Sequence, residues 1–315
     1  MSERVLIVTG TSIGIGGMDS GAQGYLTADA MRRYLGWDAK CLCFQQSYLG
    51  YDYDWVRGFN ISDESVLKYA ADCSMVIFMD SPEVFRDFKL AQAIQGIPTC
   101  VLGVGTGLRL RSNYTLMDQI TGRLPVIVPP HDETLVNAVC GVPFDFVIVD
   151  IDEIDRLTQP QHDEFTICHA HTRALNKGHD QLVEIIKRIP YNKEQIFQQP
   201  WAQSIATKSR SHVVLDDFYH PSYGLNVLEA AVMRQHVVSS IGPWCYFIDP
   251  ELPFGSCHPS ITGKSVVDGA IDMIEDMVEG KGPDLEVARK WVEDKHHAKN
   301  VAPKWRWFAK WLHTQ

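Results

Sequence analysis

No segment of this 315-residue chain approaches the roughly 20 consecutive apolar residues that a membrane-spanning helix requires, so no span is expected. The opening stretch, Met1 to Gly10, enters a strand directly and lacks the organisation of a signal peptide. Cysteine occurs eight times but never in C-x-x-C spacing. Cys41 and Cys43 alternate along an expected strand and so share one face, which suits a core better than a metal. This usage points to a reduced, cytoplasmic compartment. An excess of basic residues is also missing. The formal net charge of −10 provides no broad footprint for non-specific nucleic-acid binding.

What is present is an ordinary globular composition, 45% hydrophobic and 22% charged, at a length that suits two domains. Strands are expected at Val5–Val8, Ala39–Phe44, Met75–Met79, Pro98–Leu102, Pro125–Val128 and Phe144–Val149. Helices fit between them at Tyr25–Tyr34, Ser62–Ala71, Glu83–Gln95 and His131–Val139, and Gly36 closes the first. Alternation of this kind predicts a parallel, doubly wound α/β sheet. The tyrosine-rich stretch Tyr48 to Trp55 reads as a loop packed over the sheet edge. Asp150 to Asp163 is acidic and polar and reads as a linker. Beyond it come a strand at Phe165–Cys168, a helix with Leu182, Val183, Ile186 and Ile189 inward, and a strand at Val237–Ser240. An irregular loop, Pro243 to His258, precedes helices at Ser265–Val278 and Leu285–Asp294. A last helix begins near Pro303, with Trp305, Phe308, Ala309 and Leu312 on one stripe and Trp307 and Trp311 on another.

The chain is organised around His212 to Gln235. A short apolar run, His212 to Leu215, ends in Asp216 and Asp217, and Pro221, Ser222 and Gly224 make a turn. From Leu225 the pattern is helical, with Leu228, Ala231 and Val232 on one face. Strand, glycine-containing loop and helix start collect unpaired amide groups and the positive end of a helix dipole, which suits phosphate.

The letters Y-G-L-N-V-L-E-A, Tyr223 to Ala230, resemble the donor-site segment of retaining glycosyltransferases of the GT-B type (family 4-like, group 1). That family has two glutamates separated by seven residues. Glu229 matches the second, whereas Pro221 stands where the first would be. Lys177, in N-K-G-H-D, resembles the lysine that contacts the donor diphosphate, and Arg173 stands near the family's arginine. Gly103 to Arg111 resembles the H-G-S-D-L-R segment, with Val104 at the histidine's place. The resemblance implies a GT-B fold: a Rossmann-like acceptor domain over 1–155 and a Rossmann-like donor domain over 156–300 facing a cleft. A C-terminal helix over 301–315 would cross back to the first domain.

It further implies transfer of a sugar, with retention, from a nucleotide-diphosphate sugar (a UDP-sugar is favoured) to a hydroxyl acceptor such as a glycan, a small molecule or a modified DNA base. The leaving diphosphate would be held by Lys177 and Arg173 without a metal or other cofactor. Gly16, Gly17, Ser222, Tyr223, Gly224, Leu225, Asn226 and Glu229 would bind the donor, and Asp19 and Arg109 the acceptor. The side chains lacking at Val104 and Pro221 leave room for an unusual donor such as a pentose.

Other readings stand beside this one. They are transfer to hydroxymethylated bases of viral DNA and a catalytically silent nucleotide-sugar-binding protein. The loop Thr9 to Gly16, T-G-T-S-I-G-I-G, is similar to the NAD(P) loop of short-chain dehydrogenases, but no tyrosine here has lysine four residues later, the pair that chemistry needs. His169 and His171 are read as packing or phosphate contacts rather than metal ligands.

Overall fold

The computed structural model describes residues 3–10, 22–44, 49–56, 63–79, 88–102, 126–127, 146–170 and 178–314. The chain forms two compact units, Met1–Ile148 with Ala298–Gln315, and Val149–His297. The expected helix at His131–Val139 lies outside the described residues.

In the first unit, β1 (Arg4–Thr9), β2 (Asp38–Cys43), β3 (Trp55–Val56), β4 (Met75–Met79), β5 (Thr99–Leu102) and β6 (Val126–Ile127) form one parallel sheet in the order β3-β2-β1-β4-β5-β6. This is the doubly wound order of dinucleotide-binding folds. Every residue of β4 is buried, as a parallel strand covered on both faces must be. One face of the sheet presents Val5, Ile7, Cys41, Cys43 and Ile77 to a core that includes Trp305 and Phe308. The other presents Leu6, Val8, Leu42, Val76 and Phe78 to Val66 and Leu90. Helix α1 (Gln23–Ala30) runs on as a wider π turn, Met31–Leu35, and Gly36 ends it in a left-handed conformation at φ 67°. Asp63 caps α2 (Glu64–Ala71) by accepting from the Ser65 amide at 2.8 Å. Helix α3 spans Phe88–Ala93.

Two expectations need correction here, and a third is borne out except at its last residue. Phe146 to Ile148 is not a strand: Phe146 and Ile148 are buried, but the Gln23 side chain takes up both backbone groups of Ile148, at 2.8 and 2.9 Å. The tyrosine stretch ends in the edge strand β3, while Tyr51 and Tyr53 pack against Tyr25 with centroids 5.0 and 5.9 Å apart. The C-terminal helix begins at Ala298, so Pro303 lies inside it. The proline removes one helix donor, and burial of Val301, Ala302, Trp305, Phe308, Ala309 and Leu312 outweighs that loss.

In the second unit, the acidic stretch is not a linker throughout. Asp150 caps α4 (Ile151–Leu157), Ile151 and Ile154 are buried, and Arg289 grips Asp155 through two bonds of 2.7 and 2.8 Å. β7 (Thr166–Ala170), α5 (His179–Arg188), β8 (Asn192–Ile196), α6 (Trp201–Lys208), β9 (Val213–Leu215), α7 (Leu225–Val232) and β10 (His236–Val238) follow. The sheet is parallel in the order β10-β9-β7-β8. β8 and α6 went unread in the sequence because N-K-E-Q-I is a polar edge strand without alternation. On α5 the buried positions are Leu182 and Ile185, and Ile186 is only partly covered. Pro243 opens a short helix, α8 (Pro243–Ile248), inside the expected loop. Helices α9 (Pro259–Thr262), α10 (Val266–Val278) and α11 (Leu285–His296) complete the unit.

At the amino ends of β9 and β10, His212 and His236 line a pocket of about 230 Å³ with Phe165, Arg234 and Met277. Burial lowers the pKa of both rings from the usual 6.5, and the neighbouring imidazoles, His162 for His212 and His212 for His236, lower it further. The unfolded chain therefore takes up protons first, so stability present above about pH 6.5 is lost as pH falls through that value. The urea midpoint is expected to be lower at pH 5 than at pH 7.5, by a smaller margin in a His212→Gln/His236→Gln variant. An equal margin in the variant would remove these rings as the cause.

Candidate functional site

Ligands of open parallel sheets bind beyond the carboxyl ends of the strands, where the strand order reverses. In the second unit that point lies between β7 and β9: β8 pairs with one side of β7 and β9 with the other. The segment after β9 is the central stretch of the sequence. The start of α7 has no side-chain cap, with Gly224 extended before it. The first-turn amides of α7 therefore face out of the helix at its positive end.

The polar groups behind this turn form one buried network. Asn226 donates to the Ala170 carbonyl at 3.2 Å and to Asp216 Oδ1 at 3.1 Å, which ties α7 to the ends of both strands. Its Oδ1 accepts from Lys208 Nζ at 3.1 Å. Lys208, only 1% exposed, pairs with Glu229 Oε2, and Trp201 Nε1 donates to Glu229 Oε1 at 2.7 Å. The Lys208 carbonyl in turn accepts from Gln235 Nε2. A buried carboxylate is stable only when paired, and here the cation comes from the last turn of α6.

Lys208 and Trp201, which complete this network, are not among the residues that the sequence singles out. A signal existed: Asn226 and Glu229 stand three apart on an otherwise apolar helix, L-N-V-L-E-A-A-V, and a buried glutamate calls for a cation.

The loop between β9 and α7 is equally ordered. Asp217, 3% exposed, accepts at Oδ1 from the amides of Tyr219 and His220, both at 2.9 Å, and its Oδ2 lies 3.0 Å from His220 Nδ1. Its carbonyl accepts from the Ser240 amide at 2.9 Å, and the Gly242 amide donates to the Pro221 carbonyl at 3.0 Å. Ser222 and Tyr223 are buried. The Tyr223 ring packs edge-on against Trp291, 5.8 Å away.

Of the residues expected to bind the donor, the structure thus brings Ser222, Tyr223, Gly224, Leu225, Asn226 and Glu229 together at one turn. The side chains of Tyr223, Asn226 and Glu229 are engaged by protein partners. Gly16, Gly17, Asp19, Arg109, Arg173 and Lys177 lie outside the described residues. His169 is a buried residue of β7, and His171 is likewise outside them. Among the described residues no cluster of His, Cys, Asp and Glu could hold a metal ion, and no helix is long and apolar enough to cross a membrane.

Gly178, which follows Lys177, starts α5 at φ 75°, and a Cβ there would lie 2.8 Å from the Phe218 Cβ. Gly178→Ala is expected to destabilise by about 1–3 kcal/mol through backbone strain and the clash. A urea midpoint equal to the wild-type value would show that the Phe218 loop yields freely.

No family model and no curated protein matches the chain. Solved structures do match along nearly its whole length. HepE from Anabaena, solved with UDP-glucose, is 12% identical with a TM-score of 0.66 over 99% of this chain and 100% of that one. An alpha-glucosyltransferase in complex with UDP-glucose and DNA containing an abasic site is 11% identical with a TM-score of 0.65, covering 98% and 100%. A sucrose-phosphate synthase from Thermosynechococcus elongatus is 13% identical with a TM-score of 0.61, covering 98% and 99%. The class that the two parallel sheets define is thus a pair of Rossmann-like α/β units. In particular, the chain has the GT-B fold of these glycosyltransferases.

Proposed function

We propose that the protein is a glycosyltransferase that moves a sugar from a nucleotide-diphosphate sugar, in the first instance a UDP-sugar, to a hydroxyl acceptor with retention. The observation that carries this reading is the uncapped start of α7 at the β7/β9 switch point, backed by the buried Lys208–Glu229–Asn226 network. Amides at a helix start hold phosphate, and Glu229, whose oxygens each keep a second lone pair, accepts from the ribose hydroxyls. Lys177 and Arg173 hold the departing diphosphate in place of a metal, and fixed cations stabilise the charge that develops there. The acceptor oxygen bonds to the anomeric carbon as its bond to phosphate breaks, and the acceptor proton passes to a donor phosphate oxygen. The proposal has the enzyme working in the cytoplasm.

A thermal-shift panel of UDP, GDP, ADP, their common sugars including pentoses, and NAD(P) tests it, since a ligand of the folded state raises its melting temperature. The expected result is a shift with one nucleotide diphosphate and its sugar that is lost in Lys177→Ala. A shift with NADP alone would overturn the proposal in favour of the dehydrogenase reading of Thr9 to Gly16. The neighbour solved with DNA favours a second reading, a modified DNA base as acceptor. The net charge of −10 opposes it, and DNA affinity falling steeply with salt would support it.

A further inference from the structure

The β9–α7 loop carries a second arrangement that the donor reading has not used. Asp217 is buried, fixed by two backbone amides at Oδ1, and set with Oδ2 3.0 Å from His220 Nδ1. The imidazole also stands perpendicular to Tyr219 at 5.1 Å. Among the described residues its other nitrogen, Nε2, makes no hydrogen bond, and the His220 side chain is 17% exposed. In the neutral ring, Nδ1–H donates to Asp217, so Nε2 offers a lone pair. A histidine whose tautomer is set by a buried carboxylate, beyond the carboxyl end of a strand at the switch point, is built to accept a proton-bearing ligand group.

The class of that group follows from the lone pair. A nucleotide diphosphate, ionised at neutral pH, brings no proton to Nε2, whereas a sugar hydroxyl does. We infer that Asp217 and His220 form a hydroxyl-recognising pair in which His220 Nε2 accepts from a hydroxyl of the donor sugar and Asp217 positions the ring. This rests on the donor reading above.

The test compares affinities by calorimetry for UDP and UDP-glucose, or for whichever nucleotide and nucleotide sugar the wild type binds. His220→Ala is expected to weaken UDP-glucose about 3- to 10-fold, the worth of one neutral hydrogen bond, and to leave UDP unchanged. Asp217→Asn is expected to weaken the same ligand in the same direction. Equal weakening of UDP and UDP-glucose would place His220 on the diphosphate and overturn the inference, as would no change in either. In both of those outcomes the donor reading stands, because nucleotide still binds the wild type. A wild type that binds no nucleotide overturns both. Unliganded melting temperatures check folding, and His220→Gln carries the same comparison if the alanine variant does not fold.

Discussion

Replacing Lys208 by alanine is expected to destabilise the second unit by about 3–5 kcal/mol, because it strands a buried carboxylate. Glu229 is 8% exposed, and its charge is balanced by the Lys208 ammonium, which is itself sealed from water and shared with Asn226 Oδ1. Glu229→Ala produces the mirror case, an unpaired ammonium in the same place. Removing both charges together, in Lys208→Met/Glu229→Gln, is expected to restore much of the loss, since neither partner is then left alone. Urea unfolding of the two single variants and the double variant measures this coupling. If the single losses simply add, the pair contributes nothing as a pair. The double variant also separates stability from function. It is expected to fold yet to bind nucleotide diphosphate more weakly than wild type, because the ribose-facing carboxylate of the proposal is gone.

The second large effect lies in the first unit. Trp305, fully buried, packs edge-on against Phe308 with centroids 5.6 Å apart, in the core beneath Val5, Ile7 and Ile77. Trp305→Ala removes one of the largest buried side chains and is expected to cost about 3–5 kcal/mol through lost transfer energy and the cavity left behind. Trp307, two residues on and 51% exposed, is the internal control. Trp307→Ala is expected to change stability by no more than about 0.5 kcal/mol. Thermal unfolding of both variants decides the matter. Similar losses would mean that the outer face of this helix is covered in solution.

The comparison of these two tryptophans also shows what was legible in the sequence. Spacing alone separated the stripe of Trp305, Phe308, Ala309 and Leu312 from that of Trp307 and Trp311, because a helix repeats every 3.6 residues whatever it packs on. Apolar runs such as Met75–Met79 announced buried parallel strands, and Ser265 and Gly36 marked helix ends, because capping is chemistry within one turn of chain. The strand–loop–helix unit around Gly224 was visible for the same local reason.

Tertiary structure decided the rest, wherever the energy of a residue depends on a partner far along the chain. The polar strand β8 exists because β7 offers it an edge, although nothing in N-K-E-Q-I favours burial. Ile148 is satisfied by Gln23, 125 residues away, so its segment needs no strand neighbour. Pro303 is tolerated inside a helix because the buried stripe beside it holds the helix down. Glu229 could be read as a match to a motif on an apolar helix, but which residue pairs with it, Lys208, could not. A carboxylate's partner is chosen by proximity in space and by the cost of leaving a charge unpaired in a low dielectric, and neither is written in local spacing.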